Sequence, residues 1–274
     1  MTGPTFFCIG TYRAGTTWLY TILKQHPDIF LPEEKELMFF THHYDKGIEW
    51  YKMFFESIKN ESCAGDISPP YLISPSAASR IHKDYPNAKI IVTLRNPPDQ
   101  VNSMYHLWIT RNRINQDIRT AIQEKKHLLD SVLYYKHLSR YLEFFDKSKI
   151  LILFYEDLKK DPKNYLRQIY RFLGVEEFYP KNLNQKQNQY REPYSRHIEK
   201  LLSGTGDLLR RLHLLRFKIL LNRTGISNVI KKLNTRPQEI YDLPEEARAL
   251  INTYVKDDKL ALENLTGRHL DFWK

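Results

Sequence analysis

Residues 6–19 read FFCIGTYRAGTTWL, and they combine a short apolar run, a turn bounded by glycines and the start of a helical pattern. The apolar run is typical of a strand that is buried on both faces. Gly10 and Gly15 bound the turn, and apolar residues recur after it at helical spacing. A strand, a turn and a helix N-terminus in this order present backbone N–H groups to a phosphate-like anion. These residues therefore predict an α/β protein with an anion-binding loop.

The glycine spacing in this loop matches the P-loop pattern GxxxxGK[ST], with one departure. Thr16 occupies the position of the lysine in that pattern, and Arg13 is the cation inside the loop. A phosphate-binding loop without that lysine indicates an anionic nucleotide that undergoes different chemistry. The loop alone leaves a second interpretation open, which is an ordinary glycine turn between a strand and a helix.

The composition indicates one sizeable core and a basic excess. The 274 residues are 42% hydrophobic, and we expect a single domain over residues 1–274. A net charge of +10, from 42 Lys and Arg against 32 Asp and Glu, favours anionic partners. No basic and apolar leader opens the sequence, and no apolar run approaches the length of a membrane span. We therefore expect a cytoplasmic protein without a transmembrane segment.

Strand and helix patterns alternate along much of the chain. Buried strands are predicted at 5–9, 62–66, 88–94 and 149–154. Helices are predicted at 16–25, 48–58, 74–84, 98–111, 128–145, 162–173 and 244–265. A polar surface loop is predicted at 176–196 and basic amphipathic helices at 197–233. The alternation predicts a three-layer P-loop-type α/β fold, in which helices flank a central parallel β-sheet.

A second candidate anion site follows the predicted strand 88–94. Arg95 comes directly after that strand, and Ser103 lies eight residues later on the predicted helix. In an open parallel sheet, ligands bind beyond the carboxyl ends of the strands. Two anion sites at one edge suit a ligand with two separated phosphate groups. The alternative for this pair alone is a surface arginine and a serine without a role on the helix.

Five motifs resemble the sulfotransferases that use 3′-phosphoadenosine-5′-phosphosulfate (PAPS) as sulfate donor, in their bacterial and heparan-sulfate-sulfotransferase-like branch. Residues 11–19 (TYRAGTTWL) resemble the 5′-phosphosulfate loop of that family, and residues 95–103 (RNPPDQVNS) resemble its 3′-phosphate motif. The segments YEDL (155–158), FLGV (172–175) and GRHLDFW (267–273) also resemble family segments. The resemblance implies transfer of a sulfuryl group to a hydroxyl or amine of a small-molecule, carbohydrate or lipid acceptor.

The resemblance also implies which residues bind the donor. The 5′-phosphosulfate would contact Arg13, Ala14, Gly15, Thr16, Thr17 and Trp18. Arg95 and Ser103 would bind the 3′-phosphate, Tyr155 would contact the nucleotide, and Arg191 would reach it from the polar loop. Family members mostly carry lysine at the position of Arg13. Arginine is a poorer proton donor, so we expect Arg13 to assist catalysis by stabilising charge.

The acceptor base is predicted from a further resemblance. Residues 35–40 (KELMFF) resemble the KExxFF segment in which the glutamate is the proposed base, and that glutamate corresponds to Glu36. A solvated glutamate without a role and a base at His42 or His43 remain alternatives. Residues 66–71 (DISPPY) resemble the EK[ST]PxY segment that lines the acceptor site, with Ile67 in place of the lysine. The aromatic residues available for an acceptor site would suit a sugar, a phenol, a lipid or a natural-product alcohol alike, and they are Phe39, Phe40, Tyr44, Tyr71, Tyr105 and Trp108.

Two other classes of function remain as alternatives. One is a P-loop kinase or ATPase, in which Asp157 would hold a metal ion. The other is a non-catalytic module that binds nucleotides or polyanions. The sequence contains no HExxH or CxxC motif and no clustered carboxylates, so we expect no metal. We expect no nucleic-acid partner, because the basic residues of the motifs lie at strand ends. Whether the chain forms a homodimer is left open.

Overall fold

The computed structural model describes residues 3–110, 114, 116–183 and 242–273, and the backbone of 191–193 and 235–237. The chain divides into two compact units, one of residues 1–187 with 242–274 and one of residues 188–241. The second unit is described only at two short antiparallel strands, β6 (Arg191–Pro193) and β7 (Thr235–Pro237). The single domain over 1–274 therefore stays a prediction, and the predicted helices at 197–233 lie outside the described residues.

The first unit is built on a parallel sheet. Among the described residues, its five strands are β1 (Phe6–Gly10), β2 (Ile29–Phe30), β3 (Cys63–Ile67), β4 (Lys89–Leu94) and β5 (Ile150–Phe154). They are ordered β2-β3-β1-β4-β5, and every neighbouring pair is parallel. β1 is central and buried along its whole length, as its apolar sequence predicts. The predicted α/β fold with a central parallel sheet is confirmed.

Helices connect the strands. In chain order they are α1 (Thr16–Leu23), α2 (Phe39–His42), α3 (Ile48–Lys52), α4 (Pro70–Ile73), α5 (Ala77–Asp84), α6 (Pro97–Thr110), α7 (Ile118–Glu124), α8 (Lys126–Asp130), α9 (Tyr134–Leu142), α10 (Tyr155–Lys160), α11 (Pro162–Leu173), α12 (Glu245–Tyr254) and α13 (Lys256–Thr266). Short 3-10 turns lie at Tyr44–Lys46, Met53–Phe55 and Lys147–Lys149. The helix predicted at 162–173 has these bounds in the structure and ends at Gly174, whose φ of 81° is the left-handed C-cap conformation.

Four helix predictions were wrong in their extent. The helix predicted at 48–58 ends at Lys52 and is followed by the 3-10 turn Met53–Phe55. The helix predicted at 74–84 begins only at Ala77, because Pro75 keeps the preceding residue, Ser74, in extended backbone with ψ 128°. The predicted helices 128–145 and 244–265 are each two helices. The carboxylate of Asp258, on α13, accepts hydrogen bonds from the backbone N–H groups of Tyr135 and Lys136 at 2.9 and 2.8 Å. These contacts cap the start of α9.

Candidate active site at the carboxyl edge of the sheet

The candidate site lies where the parallel strands end. The glycine loop follows β1, Ser68 follows β3, Arg95 follows β4 and Tyr155 follows β5. Because β3, β1, β4 and β5 are neighbours and run in the same direction, their carboxyl ends share one edge. The fold therefore gathers four of the quoted motifs at this edge, although they are spread over more than half of the sequence.

The glycine loop has the backbone of an anion cradle. Gly15 adopts φ 85°, and a Cβ added there would approach Leu158 Cδ2 to 2.8 Å and Tyr155 Cδ2 to 3.2 Å. Glycine is thus needed both for its conformation and for its close approach to α10. α1 begins directly after Gly15, without a side-chain cap and without an acidic residue in its first turn. The first N–H groups of a helix have no carbonyl partner within the helix, so this end suits an anion.

The two predicted anion sites are joined by hydrogen bonds. Arg13, whose φ is 64°, donates from Nε to Ser103 Oγ at 2.8 Å. Arg95 donates from Nη1 to the backbone carbonyl of Arg13 at 3.1 Å. In the described part of the chain, Arg95 Nε is buried and has no hydrogen-bond partner. A buried guanidinium donor without a partner is a costly arrangement that an anionic ligand would satisfy.

Tyr155 borders both anion sites. Its ring centroid lies 5.1 Å from the guanidinium carbon of Arg95 and 5.3 Å from Lys159 Nζ. The same ring also limits the space at Gly15. Tyr155 therefore holds Arg95 by a cation–π contact and shapes the wall of the loop. Its predicted contact with the nucleotide remains a prediction.

The other residues predicted to bind the sulfate donor differ in how much of their side chains is exposed. Thr16 and Ala14 are buried, whereas Thr17 is half-buried. The indole of Trp18 packs on Tyr165 with ring centroids 6.1 Å apart, and its Nε1 donates to the carbonyl of Leu183 at 3.0 Å. Because the side chain of Trp18 packs in the core, only its backbone is available to an anion at the start of α1. The side chain of Arg191 lies outside the described residues.

Glu36 lies in a strained loop beside the edge. Glu36 and Met38 have φ values of 62° and 52°, a region that non-glycine residues rarely adopt. The carboxylate of Glu36 forms an ion pair with Lys35, and 30% of the Glu36 side chain is exposed. His42 is exposed and contacts Thr41 Oγ1, while His43 packs on Trp50. The ion pair with Lys35 holds the carboxylate of Glu36 in place.

A buried carboxylate supports the Glu36 loop. Asp66 accepts hydrogen bonds from the hydroxyls of Ser68, Tyr51 and Tyr71 at 2.7 to 2.8 Å. Ser68 Oγ in turn accepts the backbone N–H of Met38 at 3.3 Å. Burial raises the pKa of Asp66 above its ordinary value of 3.8, the three hydroxyls oppose the rise, and the charge of Glu36 adds to it. Sequence reasoning assigned Asp66 to a motif but missed this role.

Three of the aromatic residues available for an acceptor site lie in the core. Phe39, Phe40 and Tyr71 are fully buried. Phe39 stacks on Tyr51 with ring centroids 4.5 Å apart, and Phe40 meets Tyr71 edge to face at 5.7 Å. They fill the core beneath the Glu36 loop, because each buries a large apolar area there.

Sequence reasoning also missed the partners of the YEDL segment. Asp157 forms a two-point ion pair with Arg268, with 2.8 Å between Oδ1 and Nη2. Glu156 accepts the indole N–H of Trp273. Both partners belong to the GRHLDFW segment, whose family resemblance could have prompted the search for contacts between the two motifs. The ion pair leaves Asp157 poorly suited to the metal-holding role of the kinase alternative, and no cluster of metal ligands occurs in the described residues.

This edge defines a P-loop-like α/β protein with two linked anion sites. A family model described as "Sulfotransferase domain" matches residues 4–208, which is more than half of the chain, and the chain belongs to this family. The family resemblance seen in the motifs is thereby confirmed, and sulfotransfer is favoured over the kinase alternative.

Several relatives carry the same kind of domain. The membrane-associated sulfotransferase kil1 of Dictyostelium discoideum is 34% identical over 155 residues, covering 53% of this chain and 32% of the relative. The bifunctional heparan sulfate N-deacetylase/N-sulfotransferase 4 of Mus musculus is 32% identical over 201 residues, covering 64% and 23%. The heparan sulfate glucosamine 3-O-sulfotransferase 6 of Mus musculus is 28% identical over 180 residues, covering 63% and 52%. The chain thus matches between about a quarter and about half of the length of these relatives.

Solved structures show the same fold. A sulfotransferase from Alicyclobacillus acidocaldarius superposes with a TM-score of 0.71 at 22% identity, covering 100% of this chain and 99% of its own. A sulfotransferase domain from the curacin biosynthetic pathway gives a TM-score of 0.50 at 19% identity, covering 68% and 79%. In the part of the chain that the structure describes, no helix is long and apolar enough to cross a membrane.

Proposed function

We propose that this chain transfers a sulfuryl group from PAPS to a hydroxyl or amine of an acceptor. The observation that carries the proposal is the hydrogen bond from Arg13 Nε to Ser103 Oγ at 2.8 Å. It joins the glycine loop, which suits a 5′-phosphosulfate, to the Arg95 and Ser103 motif, which suits a 3′-phosphate. A donor that carries both groups would occupy the two sites together.

The residues present fit such a donor. Arg95 Nε, which has no hydrogen-bond partner among the described residues, offers a buried donor to the 3′-phosphate, beside Ser103. Gly15 allows the left-handed turn that packs the loop against α10, and Thr16 and Thr17 add hydroxyl donors at the start of α1. Tyr155 borders both groups. When bound, the donor supplies the sulfuryl group and leaves as adenosine 3′,5′-bisphosphate.

In the proposed mechanism, Glu36 takes the proton of the acceptor. As the acceptor oxygen or nitrogen bonds to sulfur, the bond between sulfur and the 5′-phosphate oxygen breaks. Arg13 and the N–H groups of the loop stabilise the charge that remains on the 5′-phosphate. Lys35 holds the carboxylate of Glu36 in place through their ion pair. By analogy with phosphoryl transfer, positioning and electrostatics supply most of the catalysis.

One residue, Ile67, argues against a highly sulfated acceptor. Ile67 is 3% exposed and stands where the resembling segment carries lysine. This position therefore offers no positive charge to a highly sulfated acceptor. We propose an acceptor hydroxyl or amine on a carbohydrate, lipid or small molecule of low sulfation, although some relatives are named for heparan sulfate.

The test is transfer of radiolabelled sulfate from PAPS to a panel of unsulfated oligosaccharides, phenols and lipid alcohols. We expect a labelled product from at least one class, formed also when EDTA is present. The matched variants are Arg95→Ala, which removes a proposed donor contact, and Arg119→Ala, which removes an exposed arginine paired with Glu246. Absence of both transfer and adenosine 3′,5′-bisphosphate binding in the unmodified chain would refute the proposal.

We also propose that the chain works in the cytoplasm without a metal ion and without a nucleic-acid partner. The basis is the sequence expectation together with the lack of any metal requirement in the proposed mechanism. Cell fractionation tests the location, and gel filtration with light scattering tests whether the chain forms a homodimer.

A further inference from the structure

A single peptide group, the one between Arg95 and Asn96, is held at both of its polar atoms. Its carbonyl, that of Arg95, accepts a hydrogen bond from Tyr134 Oη at 2.6 Å. Its N–H, that of Asn96, donates to Glu156 Oε1 at 3.1 Å. A peptide group held at both ends has a fixed plane, because rotation about the flanking bonds would break one of the two contacts.

Trp273 contacts both of the residues that hold this peptide group. Its Nε1 donates to Glu156 Oε2 at 3.0 Å, so one carboxylate joins Trp273 to Asn96. Its ring meets that of Tyr134 edge to face, with centroids 5.8 Å apart. Trp273 is 6% exposed and Tyr134 is 1% exposed, so water competes little for these contacts.

The rest of the segment 267–273 is anchored independently. Arg268 pairs with Asp157 at two points, and its guanidinium carbon lies 4.8 Å from the ring centroid of Phe154 and 4.5 Å from that of Phe272. Phe154 is the last residue of β5 and contacts Trp273 with ring centroids 5.6 Å apart. The segment therefore contacts the end of β5 directly and reaches Asn96 through the carboxylate of Glu156.

The held peptide group fixes the backbone where the chain leaves β4 at Arg95. The guanidinium itself is restrained at two points, because Nη1 donates to the carbonyl of Arg13 and the group lies over Tyr155, and Nε is buried without a partner in the described part of the chain. Loss of the contacts to the adjoining peptide group would let this backbone shift, and the position of Nε would shift with it. The position of Nε thus depends on residues that lie far from Arg95 in sequence.

We propose that Trp273 and Glu156 are positioning residues for the 3′-phosphate site, and that they set the preference of the chain for a nucleotide bearing a 3′-phosphate. This inference rests on the proposed function, because it takes the ligand of Arg95 to be the 3′-phosphate of the donor. Neither residue contacts the ligand. Both act by holding the Arg95–Asn96 peptide group in the orientation that aims Arg95.

The experiment compares the affinities of adenosine 3′,5′-bisphosphate and adenosine 5′-monophosphate by isothermal titration calorimetry on the full chain. Trp273→Phe keeps an aromatic ring against Tyr134 but removes the N–H that reaches Glu156. We expect it to weaken binding of the bisphosphate about tenfold, as for loss of a contact to a charged group, and to change binding of the monophosphate less than about twofold. Trp50→Phe, in the aromatic cluster around Phe39 and Phe54, is the matched control and keeps both affinities.

Two further variants keep the inference testable if Trp273→Phe does not fold. Glu156→Gln disrupts the carboxylate bridge, and Tyr134→Phe removes the hydroxyl that holds the carbonyl of Arg95. Each is expected to lower the bisphosphate-to-monophosphate preference in the same direction. An equal loss for both nucleotides, or an unchanged preference in folded variants, would overturn the inference and leave the proposed function standing. A lack of preference in the unmodified chain would overturn the proposed function and the inference together.

Discussion

Arg13 occupies the position at which the resemblance implies lysine in most family members, and we expect a different use of its charge. Its Nε donates a hydrogen bond to Ser103 Oγ in the second anion site, and its backbone carbonyl accepts one from Arg95 Nη1. A guanidinium stays protonated at neutral pH and binds oxygens as a fork, whereas an ammonium can give up its proton more readily. Arg13 therefore suits charge stabilisation that spans both phosphate groups.

Replacement of Arg95 tests the 3′-phosphate site at the residue scale. Arg95→Ala removes at least one charge-assisted contact, each worth about 1.5–3 kcal/mol, so affinity for adenosine 3′,5′-bisphosphate should fall roughly tenfold or more. Titration calorimetry measures the change, with Arg119→Ala as the exposed control. Unchanged affinity in Arg95→Ala would remove Arg95 from the binding site.

Replacement of Glu36 tests the acceptor base. Glu36→Gln keeps the size of the side chain but cannot accept a proton, so turnover should drop by about 10²-fold or more while affinity for the bisphosphate is kept. Steady-state kinetics with an acceptor found in the transfer assay measures the drop. Glu33→Gln, which changes a neighbouring glutamate paired with Lys24, is the control. If Glu36→Gln retains full turnover, His42 and His43 are the next residues to replace.

At the scale of the element, the turn from β1 into α1 depends on Gly15. Gly15→Ala combines a left-handed backbone with a Cβ placed 2.8 Å from Leu158, whereas Gly267→Ala has the same left-handed backbone, with φ 66° and ψ 19°, and no atom within 4 Å of the added Cβ. The control isolates the backbone strain, about 1–2 kcal/mol, from the clash. We expect a larger loss in the free energy of unfolding for Gly15→Ala, measured by urea denaturation. Equal losses would show that α10 yields to the added methyl group.

The connection between β3 and the Glu36 loop gives a prediction on pH. Because the pKa of Asp66 is raised by folding, the folded state binds more protons than the unfolded state in the pH range between the ordinary pKa of 3.8 and the raised one. Stability from this group is therefore present at low pH and is lost as pH rises through the raised pKa. Asp66→Asn does not titrate there. The free energy of unfolding of the unmodified chain should thus fall relative to that of Asp66→Asn as pH rises, and a constant difference would contradict the prediction.

At the scale of the whole molecule, ligand binding should discriminate between the functional classes. Adenosine 3′,5′-bisphosphate at about 100 times its dissociation constant should stabilise the chain by about 2.7 kcal/mol and raise its melting temperature by several degrees. ATP with Mg²⁺ lacks the 3′-phosphate and should raise it much less. Scanning calorimetry or dye-monitored melting measures both shifts. A larger shift with ATP and Mg²⁺ would revive the kinase alternative.

Much of the fold and of the site could be predicted from local patterns. The strand 150–154, the helix 162–173 and the loop around Gly15 each have a signal within a few residues, namely an apolar run, a helical period with a capping glycine, or a pair of spaced glycines. The strand β2, with two residues, was too short for any periodicity. The break between α12 and α13 was also missed, because no glycine or proline marks the boundary at Val255.

The sequence by itself identifies the residues that could bind anions and the strand that each of them follows. It does so because each motif is a single uninterrupted segment of the chain. Only the tertiary structure shows that Arg13 meets Ser103, that Asp66 supports the Glu36 loop from within the core, and that Phe39 and Phe40 are buried. It also shows that Trp273 reaches Glu156 across 117 positions to hold the peptide group after Arg95. The physical reason is that these contacts join segments that are brought together only when the parallel sheet has formed.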